Sequence, residues 1–167
     1  LVLLATVADK SALAVELPDT PAAKRLAELN EQIDAGAPQR IAAFVEQAYT
    51  PEYAGFLPVE RRIASYMDWH RRGGFAPIEV LDSAADRIEV IVEQSVTGER
   101  WMIGVQVEGD APHRIERMMV GRAPMAQVDA PDSDEDAARR WIAYVDGLAE
   151  RGLFSGAVLI ARNGRVL

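Results

Sequence analysis

The side chains in this chain that could do acid–base or ligand chemistry are few. Asp68 and His70 lie at the end of a segment in which Val59, Ile63, Tyr66, Met67 and His70 recur on one side at helical spacing. A carboxylate or imidazole held in an apolar pocket is desolvated, so its pKa moves towards the working pH and it can carry a proton. That makes Asp68 and His70 the raw candidates for proton transfer. His70 shares the apolar face and reads first as a hydrogen-bonded core residue, whereas Asp68 reads as solvated. Tyr66, His70 and Trp101 together outline a candidate ligand pocket, although aromatic residues at helix or strand spacing more often pack the core. No catalytic residue is assigned.

The remaining polar motifs point to structure. His70 and His113 have no third ligand at recognisable spacing, so no metal site is expected. The acids from Asp129 to Asp136 have neither the turn glycine nor the distal glutamate of a calcium loop. They suit a solvated linker and the start of a helix capped by Ser133. Arg61-Arg62 and Arg71-Arg72 give this segment a basic end suited to an anionic ligand, but they read first as a solvated helix face paired with nearby acids. The chain has no cysteine, which removes disulfides, thiol nucleophiles and cysteine-based zinc sites. No cofactor is expected.

The elements that must position these residues are legible from turn and cap signals. Thr20-Pro21 starts a helix whose apolar face is Leu26, Leu29 and Ile33, ending at Gly36. Pro38 starts a second helix with Ile41, Phe44, Val45, Ala48 and Tyr49 on one face, ended by Pro51. After a loop around Gly55, Pro58 opens the third, which stops at Gly73-Gly74. Period-two alternation follows at Ile78 and Val80, at Ile88, Val90 and Val92, and at Trp101, Ile103, Val105 and Val107. Thr97-Gly98 and Gly109-Asp110 mark hairpins, which implies an antiparallel sheet with one face on the helices. His113 to Gly121 reads as a fourth strand of ambiguous facing. Helices followed by strands make the fold class α+β.

Composition frames the rest. The chain has 167 residues, 49% hydrophobic content and a formal charge of -8 without a Lys/Arg stripe. That supports a packed core and argues against nucleic acid or an anionic membrane as a partner. Leu1 to Ala8 is an uncharged apolar run, and Ala12-Leu13-Ala14 has the small-x-small pattern of a signal-peptide cleavage site. Residues 1–14 are therefore read as the remainder of a signal peptide, with export to the periplasm or exterior. The run is too short for a membrane span. Ala123 to Pro131 leads into Asp132, Asp134, Glu135 and Asp136, read as a linker over 124–136. Beyond it Trp141, Val145 and Leu148 fall at helical spacing, Gly152 stands at a helix end, Ala157 to Ala161 reads as a strand, and Asn163-Gly164 as a type I′ turn.

Two resemblances arise from these motifs. Three helices on a curved antiparallel sheet over 17–123, with Thr20-Pro21, Asn30 to Gly36 and Phe44-Val45-Glu46, resemble the cone-shaped nuclear transport factor-like fold of SnoaL-like proteins and ketosteroid isomerases. The closest likeness is to the version that precedes some exported serine hydrolases. Residues 137–167, a helix, Phe154-Ser155-Gly156 and the Asn163-Gly164 turn, resemble the opening of a serine β-lactamase-like domain, the group that includes class C β-lactamases and D-alanyl-D-alanine peptidases. The nucleophile of that family lies in Ser-x-x-Lys, where the amine activates the hydroxyl. The chain contains no Ser-x-x-Lys, Lys-Thr-Gly or Tyr-x-Asn, and Ser155 matches a structural position. The resemblances imply a non-catalytic accessory domain whose partner is its own downstream catalytic domain, acting on an amide or ester through a serine acyl-enzyme. A stand-alone small-molecule-binding or isomerase-like domain, and a homodimerisation module using the open sheet face, are the alternatives.

Overall fold

The computed structural model describes residues 15–123 and 131–167. The chain runs α1 (Pro21–Ala35), α2 (Pro38–Ala48), α3 (Pro51–Phe56), α4 (Val59–Arg71), β1 (Ala76–Ser83), β2 (Arg87–Glu93), β3 (Arg100–Val107), β4 (Ile115–Arg122), α5 (Asp134–Glu150), β5 (Ala161–Arg162) and β6 (Arg165–Val166). The class is α+β, with β1 to β4 forming one antiparallel sheet in sequence order and β5 and β6 a separate hairpin. The segments read as a signal peptide and as most of the linker, 1–14 and 124–130, lie outside the described residues.

Local chemistry sets the helix ends. Thr20 Oγ1 accepts from the Ala23 amide at 3.3 Å, and Pro21 occupies the first turn, where its missing N–H costs nothing. Gly36 closes α1 at φ 59°, a left-handed backbone that disfavours any Cβ. One expectation is corrected here. Pro51 does not merely end α2 before a loop: Thr50 Oγ1 accepts from the Tyr53 amide at 3.2 Å and Pro51 takes the first turn of α3, an additional short helix. The signal is the same Thr-Pro pair that starts α1.

The sheet buries one face. Ile88, Val90 and Val92 of β2 and Ile103, Val105 and Val107 of β3 are each no more than 2% exposed, the i, i+2, i+4 set of strands packed on one side. Helix α1 lies on β2 and β3 through Ala22, Leu26, Leu29 and Ile33, while α2 and α4 pack on α1. The ambiguous facing of β4 has a physical cause. Val107 pairs with Ile115 but Gln106 with Arg117, so β4 carries an extra residue at Glu116. This bulge moves the inward set from odd to even numbers: Ile115 is buried and Met118, opposite Val105, packs on the same core.

The C-terminal part is built differently. Ser133 caps α5 by accepting from the Asp136 amide at 3.0 Å, and Asp134, Glu135 and Asp136 fill its first turn, where the helix dipole favours acids. Arg139 and Arg140 beside Asp136 hold its carboxyl below the usual range, the Arg139 hydrogen bond contributing most. Nevertheless α5 buries none of its residues. Asn163 at φ 52° and Gly164 at φ 77° make the expected turn, but the pairing spans only Ala161–Arg162 and Arg165–Val166. Of the stretch from Ala157 to Ala161 only Ala161 lies in a strand, and Val158 and Leu159 are 49% and 75% exposed.

Gly36 provides a direct test of the α1 terminus. A Cβ there would lie 2.5 Å from the His70 ring and would have to adopt positive φ. Gly36→Ala is expected to lower stability by about 2–3 kcal/mol, measured by urea denaturation.

Candidate functional site

Helix α4 carries most of the candidate chemistry. Tyr66, on its inward face, is 2% exposed, and its hydroxyl meets that of Tyr49, the residue that ends α2. One turn earlier stands Arg62, which is only 4% exposed. This corrects the reading of Arg61-Arg62 as a solvated pair: Arg61 is exposed, but Arg62 is buried. Its guanidinium carbon lies 4.5 Å from the ring centre of Tyr53 and 5.0 Å from that of Tyr49, within cation–π range. Its Nη2 donates to the Tyr53 carbonyl, so a cation closes the C-terminal end of α3, where helix carbonyls lack internal partners. Arg62 Nε is buried without a partner.

Burial dominates the tyrosine acidities. It pushes the Tyr49 hydroxyl well above the ordinary value, helped by Tyr66, and raises Tyr66 as well, against the lowering effect of the hydrogen bond to Tyr49 and of Arg62. Both hydroxyls are therefore protonated at neutral pH. A neutral pair shielded from water in this way is a hydrogen-bonded lock, with neither an accessible base nor an accessible nucleophile.

His70 stands one turn further along α4. Its Nδ1 lies 2.9 Å from the Ile33 carbonyl, which can only accept, so Nδ1 bears the proton. The ring rests on Gly36 and ties the end of α1 to α4. The other raw candidate, Asp68, is half-exposed and bonds Arg72 at 2.7 Å and Arg71 at 3.2 Å. These contacts extend through Arg72 to Glu99 and from Glu99 to Arg122. Trp101, on β3, lies beneath the Arg122 guanidinium at 5.5 Å, with its indole nitrogen buried and unpartnered.

Tyr66, His70 and Trp101 are thus distributed over three neighbourhoods, and among the described residues no hydrogen bond or ring contact joins them. A cavity of about 290 Å³ lies elsewhere, between α1, the chain around Val15 and Leu17, and the β2–β3 face. Leu29, Phe75, Val92 and Ile103 line it, with Asn30, Glu31 and Asp34 among its polar residues. His113 Nδ1 is 3.0 Å from the Glu108 carbonyl, and among the described residues no three His, Cys, Asp or Glu side chains form a metal-sized group. No helix of the described residues is long and apolar enough to cross a membrane.

Sequence reasoning missed the Arg62 cluster, though a signal existed. Arg62 and Tyr66 are four residues apart in α4, as are Tyr49 and Tyr53 across the Thr-Pro start of α3, so each pair shares one side of its segment. Asn30 was noted only as part of a helix end. It also spans to the strand side, donating Nδ2 to the Phe75 carbonyl at 2.7 Å.

The tyrosine pair and His70 generate two expectations. Tyr66→Phe strands the Tyr49 hydroxyl and is expected to cost about 1–3 kcal/mol at neutral pH, with the Tyr49→Phe/Tyr66→Phe double variant losing less than the two single losses combined. Because the folded pKa values are raised, the unfolded chain ionises first. The stability the pair contributes is full below pH about 10 and falls as pH rises beyond it, and this alkaline loss is shallower in the double variant on urea titration. His70→Ala is expected to cost about 1–3 kcal/mol by removing one of the two donors to the Ile33 carbonyl and by opening the space over Gly36, again read by denaturation.

No family model, curated protein or solved structure matches the chain, and its chemistry is therefore argued from its own residues.

Proposed function

We propose that residues 17–123 form an accessory, non-catalytic domain with the cone-shaped nuclear transport factor-like architecture, joined to the opening helix and hairpin of an exported serine β-lactamase-like hydrolase domain. The reaction of the whole would be cleavage of an amide or ester through a serine acyl-enzyme, with the nucleophile beyond Leu167.

The observation that carries this reading is the contrast between the two parts. In the first, the titratable side chains suited to catalysis are committed to structure: His70 to the Ile33 carbonyl, Asp68 to Arg71 and Arg72, and Tyr66 to Tyr49. In the second, α5 leaves Trp141 and Ile142 at 50% and 58% exposure and Leu159 at 75%. A helix of 17 residues gains most of its stability in a protein from packing an apolar face, and α5 has such a stripe with little packed on it. A further domain built on α5 and the hairpin accounts for that stripe. The Phe154-Ser155-Gly156 and Asn163-Gly164 resemblance supplies its class.

The test compares two lengths of chain. Residues 1–167 are expected neither to hydrolyse a chromogenic β-lactam or p-nitrophenyl ester nor to be labelled by a serine-directed phosphonate. The chain extended through its natural downstream sequence is expected to be labelled once, at the serine of a Ser-x-x-Lys. Stoichiometric labelling of Ser155 in the short chain, or an extension without that motif and without labelling, would overturn the proposal.

A further inference from the structure

We infer that the C-terminal end of α4 and the turn between β2 and β3 form a docking surface for α5, which lays its Gly147 side there and keeps its Trp141 and Ile142 side free. The C-terminal part of the chain is thereby held in one orientation to the first domain. The inference does not depend on the hydrolase reading, because every contact it uses lies within the described residues.

The receiving surface is built as one piece. Gly73 leads the chain out of α4 at φ 99°, and a Cβ there would stand 2.8 Å from the Val96 amide nitrogen, so glycine is what lets the helix end and the turn meet. Two hydrogen bonds then join them. Ser95 Oγ donates to the Gly73 carbonyl at 2.9 Å, and the Val96 amide donates to the Arg72 carbonyl at 3.2 Å. Val96 is left half-buried on a fixed backbone, an apolar knob beside the end of α4.

Helix α5 matches that surface on one side only. Glycine is a poor helix former, yet Gly147 stands inside α5, and a Cβ on it would lie 3.9 Å from Val96 Cγ1. The bare backbone of α5 therefore faces the Val96 knob. Four residues on, Arg151 Nη1 donates to the His70 carbonyl at 3.3 Å, which also accepts from the Gly73 amide at 3.0 Å. A cation suits that place, because the carbonyl end of a helix is its negative end. At 3.6 residues per turn Arg151 lies about 40° round the helix from Gly147, whereas Trp141 and Ile142 lie about 120° and 140° away. The docked side and the apolar stripe are thus distinct, and Trp141 and Ile142 remain 50% and 58% exposed. Contacts as exposed as that of Arg151 are weak singly. The tether from Ala123 to Ser133 makes docking intramolecular, at an effective concentration of roughly millimolar, and so sustains a small interface that separate molecules would not hold.

The test uses the 1–167 chain, whose lack of cysteine makes introduced thiols unambiguous. Val96→Cys/Gly147→Cys, oxidised at high dilution with oxidised glutathione, is expected to form an internal disulfide, with two glutathione thiols released, at least about tenfold faster than Val96→Cys/Ile142→Cys, which puts the second thiol on the far side of α5. In the unaltered chain, NMR relaxation is expected to give the α5 amides the same rotational correlation time as those of β2 and β3. Gly147→Gln adds a side chain against Val96 while improving the helix, so it is expected to shift the Val96 methyl resonances and leave the unfolding transition of the first domain in place. The inference fails if the Val96–Gly147 pair oxidises no faster than the control, if it gives only disulfide-linked dimers, if α5 tumbles independently of the sheet, or if Gly147→Gln leaves the Val96 methyls unmoved.

Discussion

The structure of the first domain is organised around a buried guanidinium that, among the described residues, has no buried carboxylate beside it. Removing a cation from water costs several kcal/mol, and an ion pair is the usual remedy. Arg62 is accommodated by other means: two tyrosine faces, the carbonyl at the end of α3, and the Tyr49–Tyr66 hydroxyl pair alongside. Each of these draws a different element to the same point. Tyr49 ends α2, Tyr53 belongs to α3, and Arg62 and Tyr66 belong to α4. The connection continues to the sheet, because the Thr50 amide donates to the Ile115 carbonyl at 3.0 Å and the Tyr53 hydroxyl reaches the Met118 carbonyl at 3.4 Å. Edge strand β4 is thus held to the helices by backbone and tyrosine contacts beside Arg62. The short α3 exists for the same reason, since six residues cannot hold a helix alone and its open carbonyl end is where the cation sits.

A second constraint sets the opposite end of α1. Gly36 turns the chain left-handed and leaves space that the His70 ring fills, while the Ile33 carbonyl accepts both from the Gly36 amide at 3.1 Å and from His70 Nδ1 at 2.9 Å. The C-terminal ends of α1 and α3 each receive a side chain from α4, and the N-termini of α1, α3 and α5 are capped by the residue just before the helix. Asn30 likewise joins α1 to the strand side by donating to the Phe75 carbonyl. Polar groups in this domain are spent on joining elements, and Tyr66 and His70 each answer to a different partner, Tyr49 and the Ile33 carbonyl.

Legibility in the sequence followed the range of the interaction. Caps and turns are decided within four residues, so Thr20-Pro21, Gly36, Ser133 and Asn163-Gly164 could be read directly, and the alternation of β2 and β3 gave the buried face. The β4 bulge was unreadable because alternation carries no information about an inserted residue until the partner strand is known. Arg62 was misread because charge suggests solvent, and only the convergence of Tyr49 and Tyr53 from another part of the chain makes its burial tolerable. The same holds for the candidate pocket. Helical spacing put Tyr66 and His70 on one broad face, but one turn along α4 is enough to give them different neighbours, Trp69 and Tyr49 for one and Gly36 for the other. The cavity beside Asn30 draws on α1, two strands and the segment before α1, a combination that no local pattern encodes.

Charge distribution ties these points together. Much of the acidity behind the net charge of -8 is neutralised locally by arginines: Asp68 by Arg71 and Arg72, Asp82 by Arg87, Glu93 by Arg100, Glu108 by Arg114 and Asp136 by Arg139. Such exposed pairs add little stability, but they cancel the local field. Arg62 stands outside this scheme, because it is buried and its charge is met by two aromatic rings and a carbonyl in place of a carboxylate.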